Sequence, residues 1–119
     1  MTRIPLPGDT AMKEPTHIIV LTTCPSPKEA KQLAAGLVEC GLAACVQCSA
    51  ITSTYTWQGR VTSEQETQVW IKTKNSLYTR VENFIQRVHP YDVPEILALP
   101  VIGGSRTYLQ WIDQVTQND

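Results

Sequence analysis

The sequence predicts an α+β domain in which a four-stranded antiparallel sheet carries two helices on one face, a long central β-hairpin and an extra C-terminal helix. Three observations lead there. A β-branched apolar run at His17–Thr23 is followed by an amphipathic stretch with helix punctuation at both ends. The stretch from Leu42 to Thr73 reads as two strand-like arms about a turn at Gln58-Gly59-Arg60. A second helical pattern and a second short strand then repeat the opening order. Strand, helix, hairpin, helix, strand is the split βαβ order of a ferredoxin-like βαββαβ sandwich.

His17-Ile18-Ile19-Val20-Leu21-Thr22-Thr23 is continuous and apolar, as a central strand should be, and Cys24-Pro25 ends it because proline removes a ladder donor. Ser26 then serves as N-cap, Pro27 as the first helical residue and Glu29 as the partner in a capping box. Ala30, Leu33, Ala34, Leu37 and Val38 follow at helical spacing, and Gly41 stops the helix.

Ala43–Trp57 is the first hairpin arm. Ala44, Val46, Cys48 and Ala50 fall on one face, whereas Ile51, Ser53, Tyr55 and Trp57 fall on the other. The change of character near Ser49-Ala50 predicts a bulge or strong bend. Val61–Thr73 is the return arm, with Val69, Ile71 and Thr73 on one face and Gln68, Trp70 and Lys72 on the other. Arms of about fifteen residues far exceed the usual ~5–6. They overhang a small sheet, and an overhang calls for sister chains. Mixed polar and aromatic residues on the distal half suit a subunit interface.

Asn75 or Ser76 caps the second helix, whose buried stripe is Leu77, Val81, Phe84, Ile85 and Val88. His89-Pro90 ends it. Tyr91-Asp92-Val93-Pro94 is a rigid connector to a last strand over Glu95–Ile102, where Pro100 forces an edge or a break. Gly103-Gly104-Ser105 opens a third helix with a stripe of Tyr108, Leu109, Ile112 and Val115. Right-handed crossovers put the first two helices on one sheet face. The other face needs cover, and association provides it.

The chain has 119 residues, enough for one domain with its own core. Hydrophobic residues at 42% and charged residues at 18% describe a globular chain. Ten basic and eleven acidic residues leave a net charge of −1, which speaks against a nucleic-acid partner. No apolar run reaches the ~18 residues of a membrane span. Residues 1–16, with Pro5, Pro7, Gly8 and Pro15, read as a flexible leader ahead of a single domain at 17–119. They lack the apolar segment of a signal peptide, so a cytoplasmic location is expected. The cysteines Cys24, Cys40, Cys45 and Cys48 are then thiols in the first instance.

Several spaced motifs together resemble the CutA family of divalent-cation tolerance proteins, from about Ile18 to Trp111. They are Leu42-Ala43-Ala44-Cys45-Val46, Tyr55-x-Trp57-x-Gly59, Glu64-x-Glu66, Lys72-Thr73, His89-Pro90-Tyr91-x-x-Pro94-Glu95-Ile96 and Tyr108-Leu109-x-Trp111. The resemblance implies a ferredoxin-like fold, a tightly packed homotrimer, and binding of Cu2+ or another divalent cation with no organic cofactor. It implies copper ligands at a first-strand cysteine and a pair of histidines. This chain has Thr22 and Val88 at two of those positions and keeps His89. One imidazole is a poor copper site. His89 at a helix end also favours the helix dipole, with no metal involved. Cys24, two residues beyond Thr22, shares its strand face.

Cys45-x-x-Cys48 cannot chelate one ion on a regular strand, because residues three apart point to opposite faces. Cys45 lies within a matched motif and is the second candidate metal ligand. Tyr55, Trp57, Glu64, Glu66, Lys72, Tyr91 and Glu95 could line inter-subunit clefts fit for a small anionic or zwitterionic ligand. Interface hydrogen bonds would explain the same residues. A buried Lys72 would require a carboxylate, with Glu95 or Glu66 as natural partners. Gly103-Gly104-Ser105 lacks the form of a phosphate loop. With only His17 and His89, a nucleophile–base set is hard to build, so no enzyme is expected. Three functions remain: a metal-binding trimer, a PII-like trimeric sensor holding a metabolite between subunits, and a structural scaffold for protein partners.

Overall fold

The computed structural model describes residues 14–118, so the expected leader lies outside the described residues except for Glu14, Pro15 and Thr16. The strands are β1 (His17–Cys24), β2 (Cys45–Trp57), β3 (Arg60–Lys74) and β4 (Leu97–Pro100). The helices are α1 (Pro27–Glu39), α2 (Tyr78–Val88) and α3 (Arg106–Val115). The sheet order is β2-β3-β1-β4 and every pair is antiparallel. β1 is therefore central, as its apolar run predicted.

Alternation along the central strands decides which side is the core. Ile18, Val20, Val69 and Ile71 face α1 and α2 and are buried together with Leu37, Leu77, Val81 and Ile85. Burying an aliphatic side chain of this kind is worth roughly 1.5–3 kcal/mol. α1 starts as predicted, with the Ser26 hydroxyl accepting from the Glu29 amide at 3.4 Å and Pro27 in the first turn. The reciprocal half of the capping box is missing: Oε2 of Glu29 is buried without a hydrogen-bond partner. Gly41 ends the turn after α1 at φ +74°, the left-handed region that glycine enters freely.

The hairpin is as long as the sequence suggested and more regular. Its register runs unbroken from Cys45 opposite Lys72 to Trp57 opposite Arg60, so the bulge expected near Ser49-Ala50 is absent. The change of character there has another cause. β1 ends with Cys24 opposite Thr67, and Thr67 lies opposite Ala50. Beyond that point the ribbon leaves the sheet, and its two faces no longer differ in burial. The turn is Gln58-Gly59 alone, at φ 50° and 77°, the left-handed pair that matches strand twist in a two-residue loop. Arg60, expected in the turn, is the first residue of β3.

Three boundaries differ near the C-terminal half. A 3-10 turn at Asn75–Leu77 precedes α2, and neither Asn75 nor Ser76 caps it through a side chain. The Asn75 amide instead donates to the Thr16 carbonyl at 2.9 Å, one step beyond the His17–Lys74 pair of the β1–β3 ladder. Val88 falls off the buried stripe and is exposed. β4 covers only Leu97–Pro100 of the expected Glu95–Ile102, since Pro100 cannot donate and the strand is an edge. In α3 the Ser105 hydroxyl accepts from the Tyr108 amide, as a cap should, but only Ile112 of the predicted stripe is buried. α3 lies over one end of the sheet face opposite α1 and α2, where Lys72 reaches Tyr108 and His17 reaches Asp113.

Candidate functional site

The face of the sheet turned away from α1 and α2 gathers most of the residues singled out in the sequence. Odd positions of β2 pair with even positions of β3, so Cys45, Tyr55, Trp57, Glu64, Glu66 and Lys72 share it. Neighbouring β1 and β4 add Leu21, Leu97 and Leu99 to the same face. Leu97 is 55% exposed and Trp57 61%, so this part of the face, away from α3, lies open in the protomer.

Two phenol–carboxylate pairs occupy the distal half. Ser53 stands opposite Glu64, which places Tyr55 on its diagonal; the Tyr55 hydroxyl donates to Oε1 of Glu64 at 2.5 Å. From the connector after α2, the Tyr91 hydroxyl donates to Oε2 of Glu66 at 3.0 Å. Both phenols are held protonated. The bond to Glu64 pushes Tyr55 up to about 12, and burial followed by the bond to Glu66 does the same for Tyr91. Each carboxylate keeps one oxygen free of its tyrosine.

Lys72 lies at the other end of this face, half-buried, with Nζ 5.6 Å from the centre of the Tyr108 ring. Among the described residues no carboxylate lies within ion-pairing distance of it, so the partnership expected with Glu95 or Glu66 does not form in the protomer. Glu66 is six residues along β3, roughly 20 Å away. Glu95 is exposed in the segment before β4. A half-buried lysine can do without a counter-ion when its ammonium lies over an aromatic face, as here.

The two candidate metal ligands sit far apart. Cys45 is aligned through Lys72 with Ile19, whereas His89 meets β1 at Thr23. Two strand spacings and four residues of strand put those backbone positions roughly 16 Å apart. Both nitrogens of His89 are engaged. Nε2 donates to the Thr23 carbonyl at 2.6 Å, and Nδ1 accepts from the Tyr91 amide at 3.1 Å. Beside it is a cleft of about 390 Å³ lined by Cys24, Glu29, Gln32, Val88 and His89 among others. Thr22, two residues before Cys24, is fully buried and its hydroxyl has no hydrogen-bond partner. The Cys24 thiol is pushed up to about 11, chiefly by burial and then by the charge of Glu29, which disfavours the thiolate that a metal needs. Among the described residues no three His, Cys, Asp or Glu side chains converge to hold an ion. The residues present therefore do not fit a divalent metal within one protomer.

Glu29 was legible in the sequence only as a helix cap. Its place beside Cys24 and His89 depends on α1 and α2 packing side by side, for which local spacing carries no signal.

The profile of the family described as CutA1 divalent ion tolerance protein matches residues 18–115. The chain is 46% identical to human Protein CutA over 97 residues, covering 81% of this chain and 54% of that protein. It thus spans about half the length of the mammalian relatives it matches. It is 42% identical to the divalent-cation tolerance protein CutA of Thermus thermophilus, covering 82% of this chain and 96% of that one. Among solved structures it resembles CutA1 from the psychrotrophic bacterium Shewanella sp. SIB1 with a TM-score of 0.86 at 38% identity, over 89% of this chain and 100% of that one. With the fold, the long ribbon and the matched motifs all in agreement, the chain belongs to the CutA1 divalent ion tolerance family.

Proposed function

We propose that this protein acts in divalent-cation tolerance as a non-enzymatic, cytoplasmic homotrimer of ferredoxin-like subunits, with copper the foremost cation. The observation that carries this reading is the uncovered sheet face. Leu97, Leu99, Tyr55 and Trp57 are exposed on it, and the ribbon from Ile51 to Glu66 runs beyond the last pair of β1. Apolar surface of this kind marks an interaction site, and unpaired strand edges accept further strands. Sister subunits supply both.

Because one protomer gathers no ligand set, a cation would be held where subunits meet. Cys45, Glu64 and Glu66 lie on the face that would be shared, and Tyr91 reaches it from the connector after α2. The four thiols are free of disulfides, in keeping with a reducing compartment.

Sedimentation velocity at micromolar concentration tests the assembly, and isothermal titration with Cu2+ tests the binding. A single trimeric species is expected, with saturable copper binding that Glu64→Gln plus Glu66→Gln weakens at least tenfold. A stable lone protomer at that dilution would overturn the assembly. Copper curves that coincide for the wild type, the double variant and His89→Ala would remove these residues from any site.

A further inference from the structure

We propose that the cleft between the end of α1 and the outer face of α2 is a binding site for a diphosphate-type anion. The cleft has a volume of about 340 Å³ and is lined by Cys40, Leu42, Arg80, Asn83, Phe84 and Arg87. Arg80, Asn83 and Arg87 recur at i, i+3 and i+7, so α2 presents two guanidiniums and an amide along one face.

Neither arginine has an ion-pair partner among the described residues: no carboxylate there lies within 4.0 Å of either guanidinium. Glu82, their neighbour on α2, accepts instead from the Tyr78 hydroxyl at 2.8 Å. Glu39, next to Cys40, is exposed and forms no ion pair with them. Two like charges facing one hollow, with no counter-ion among the described residues, suit an anion.

Both cations are also held in place. A Cβ on Gly36 would come within 2.8 Å of Cζ of Phe84, so this glycine is what lets the ring press against α1. The Arg87 guanidinium lies 5.4 Å from the centre of that ring. Arg80 donates through Nη2 to Oε1 of Gln117 at 2.7 Å, and Gln117 is itself anchored by its amide to the Gly41 carbonyl at 2.8 Å. A guanidinium has five N–H donors, so both keep most of theirs for a ligand. Donors fixed in advance lose little entropy on binding.

The spacing selects the ligand. Seven residues of helix separate the arginine backbones by roughly 10 Å, and the flexible stems converge from there. One small tetrahedral anion would engage one fork; two linked phosphoryl groups reach both, and planar guanidinium forks suit phosphoryl oxygens. The same chemistry is offered by free pyrophosphate and by the tail of a nucleoside diphosphate, for which Leu42 and Phe84 would supply an apolar wall. The cleft belongs to the helix layer, on the opposite side from the sheet face proposed for assembly. It therefore stands independently of the trimer and of any metal.

The test is isothermal titration of the whole protein at fixed ionic strength with pyrophosphate, orthophosphate and adenosine diphosphate. One saturable site per chain is expected, with pyrophosphate at least tenfold tighter than orthophosphate. Arg80→Gln plus Arg87→Gln should abolish it. Asn83→Asp should weaken it at least tenfold, while thermal unfolding confirms that these exposed substitutions leave the fold intact. Adenosine diphosphate binding more tightly than pyrophosphate assigns the site to nucleotides; equal or weaker binding assigns it to the free diphosphate. Non-saturating heats, or a double arginine variant that binds like the wild type, would overturn the proposal.

Discussion

The imidazole of His89 fastens the end of α2 to the end of β1, donating from Nε2 to the Thr23 carbonyl at 2.6 Å. Its Nδ1 accepts from the Tyr91 amide, so the neutral ring carries its proton on Nε2. This residue closes a helix, orients the connector that brings Tyr91 to Glu66, and borders the cleft beside Cys24. His89→Ala should therefore cost about 1–3 kcal/mol in chemical denaturation without any metal present, since it strands two backbone groups. Nitrogen NMR of the histidine side chains should report the Nε2–H tautomer. Unchanged stability in the alanine variant would show the clasp to be dispensable.

Two buried threonines make an opposing pair. The Thr73 hydroxyl donates to the Leu42 carbonyl at 2.6 Å, whereas the equally buried Thr22 hydroxyl has no partner. Thr73→Val should destabilise by about 1 kcal/mol. Thr22→Val should be neutral or stabilising by up to about 1 kcal/mol, because it removes an unsatisfied polar group. Urea midpoints of the two variants should move in different directions or by clearly different amounts.

Gly59 and Gly36 are needed for different reasons, and alanine distinguishes them. At Gly59, φ is +77° and nothing lies within 4 Å of an added Cβ, so Gly59→Ala should cost about 1–2 kcal/mol through the backbone alone. Gln58→Asn, at φ 50°, should raise the melting temperature slightly, since asparagine tolerates this region better. At Gly36 the obstacle is Phe84, and overpacking there should cost about 1–3 kcal/mol. The Gly36 loss should shrink in a Phe84→Leu background, which a double-mutant cycle would detect.

Alkali should weaken the fold in a defined window. Tyr55 and Tyr91 are raised from 10 to about 12 and Cys24 from 9 to about 11. Each binds its proton more tightly when folded, so its contribution is complete below the unfolded value and disappears as pH rises through the folded one. Stability should decline from about pH 9 to pH 12. Tyr91→Phe should flatten the upper part of that decline, and Cys24→Ala the lower part. A stability curve unchanged in both variants would show that neither group contributes.

Much of the architecture could be read from local signals. The apolar run of β1, the cap at Ser26, the stop at Gly41 and the alternation around Gly59 each act within a few residues, and each was found where expected. The misplaced features had non-local causes. A bulge was inferred from a change in hydrophobic pattern that marks the loss of a neighbouring strand at Thr67. The start of α2 was assigned to a side-chain cap at Asn75 or Ser76, whereas the Asn75 amide extends the β1–β3 ladder to the distant Thr16 carbonyl and a 3-10 turn leads into the helix.

The sequence by itself determined the element order, the overlong ribbon and the common side of Gln68, Trp70 and Lys72, because alternation along a strand fixes sidedness. It also marked His89, Cys45 and Glu95 as residues to watch. Only the tertiary structure decided which of them meet. It paired Tyr91 with Glu66, set Lys72 under Tyr108, engaged both nitrogens of His89 and left Cys45 far from it. The physical reason is that periodicity specifies the side to which a residue points, while its neighbour there is chosen by how distant helices and connectors pack against the sheet.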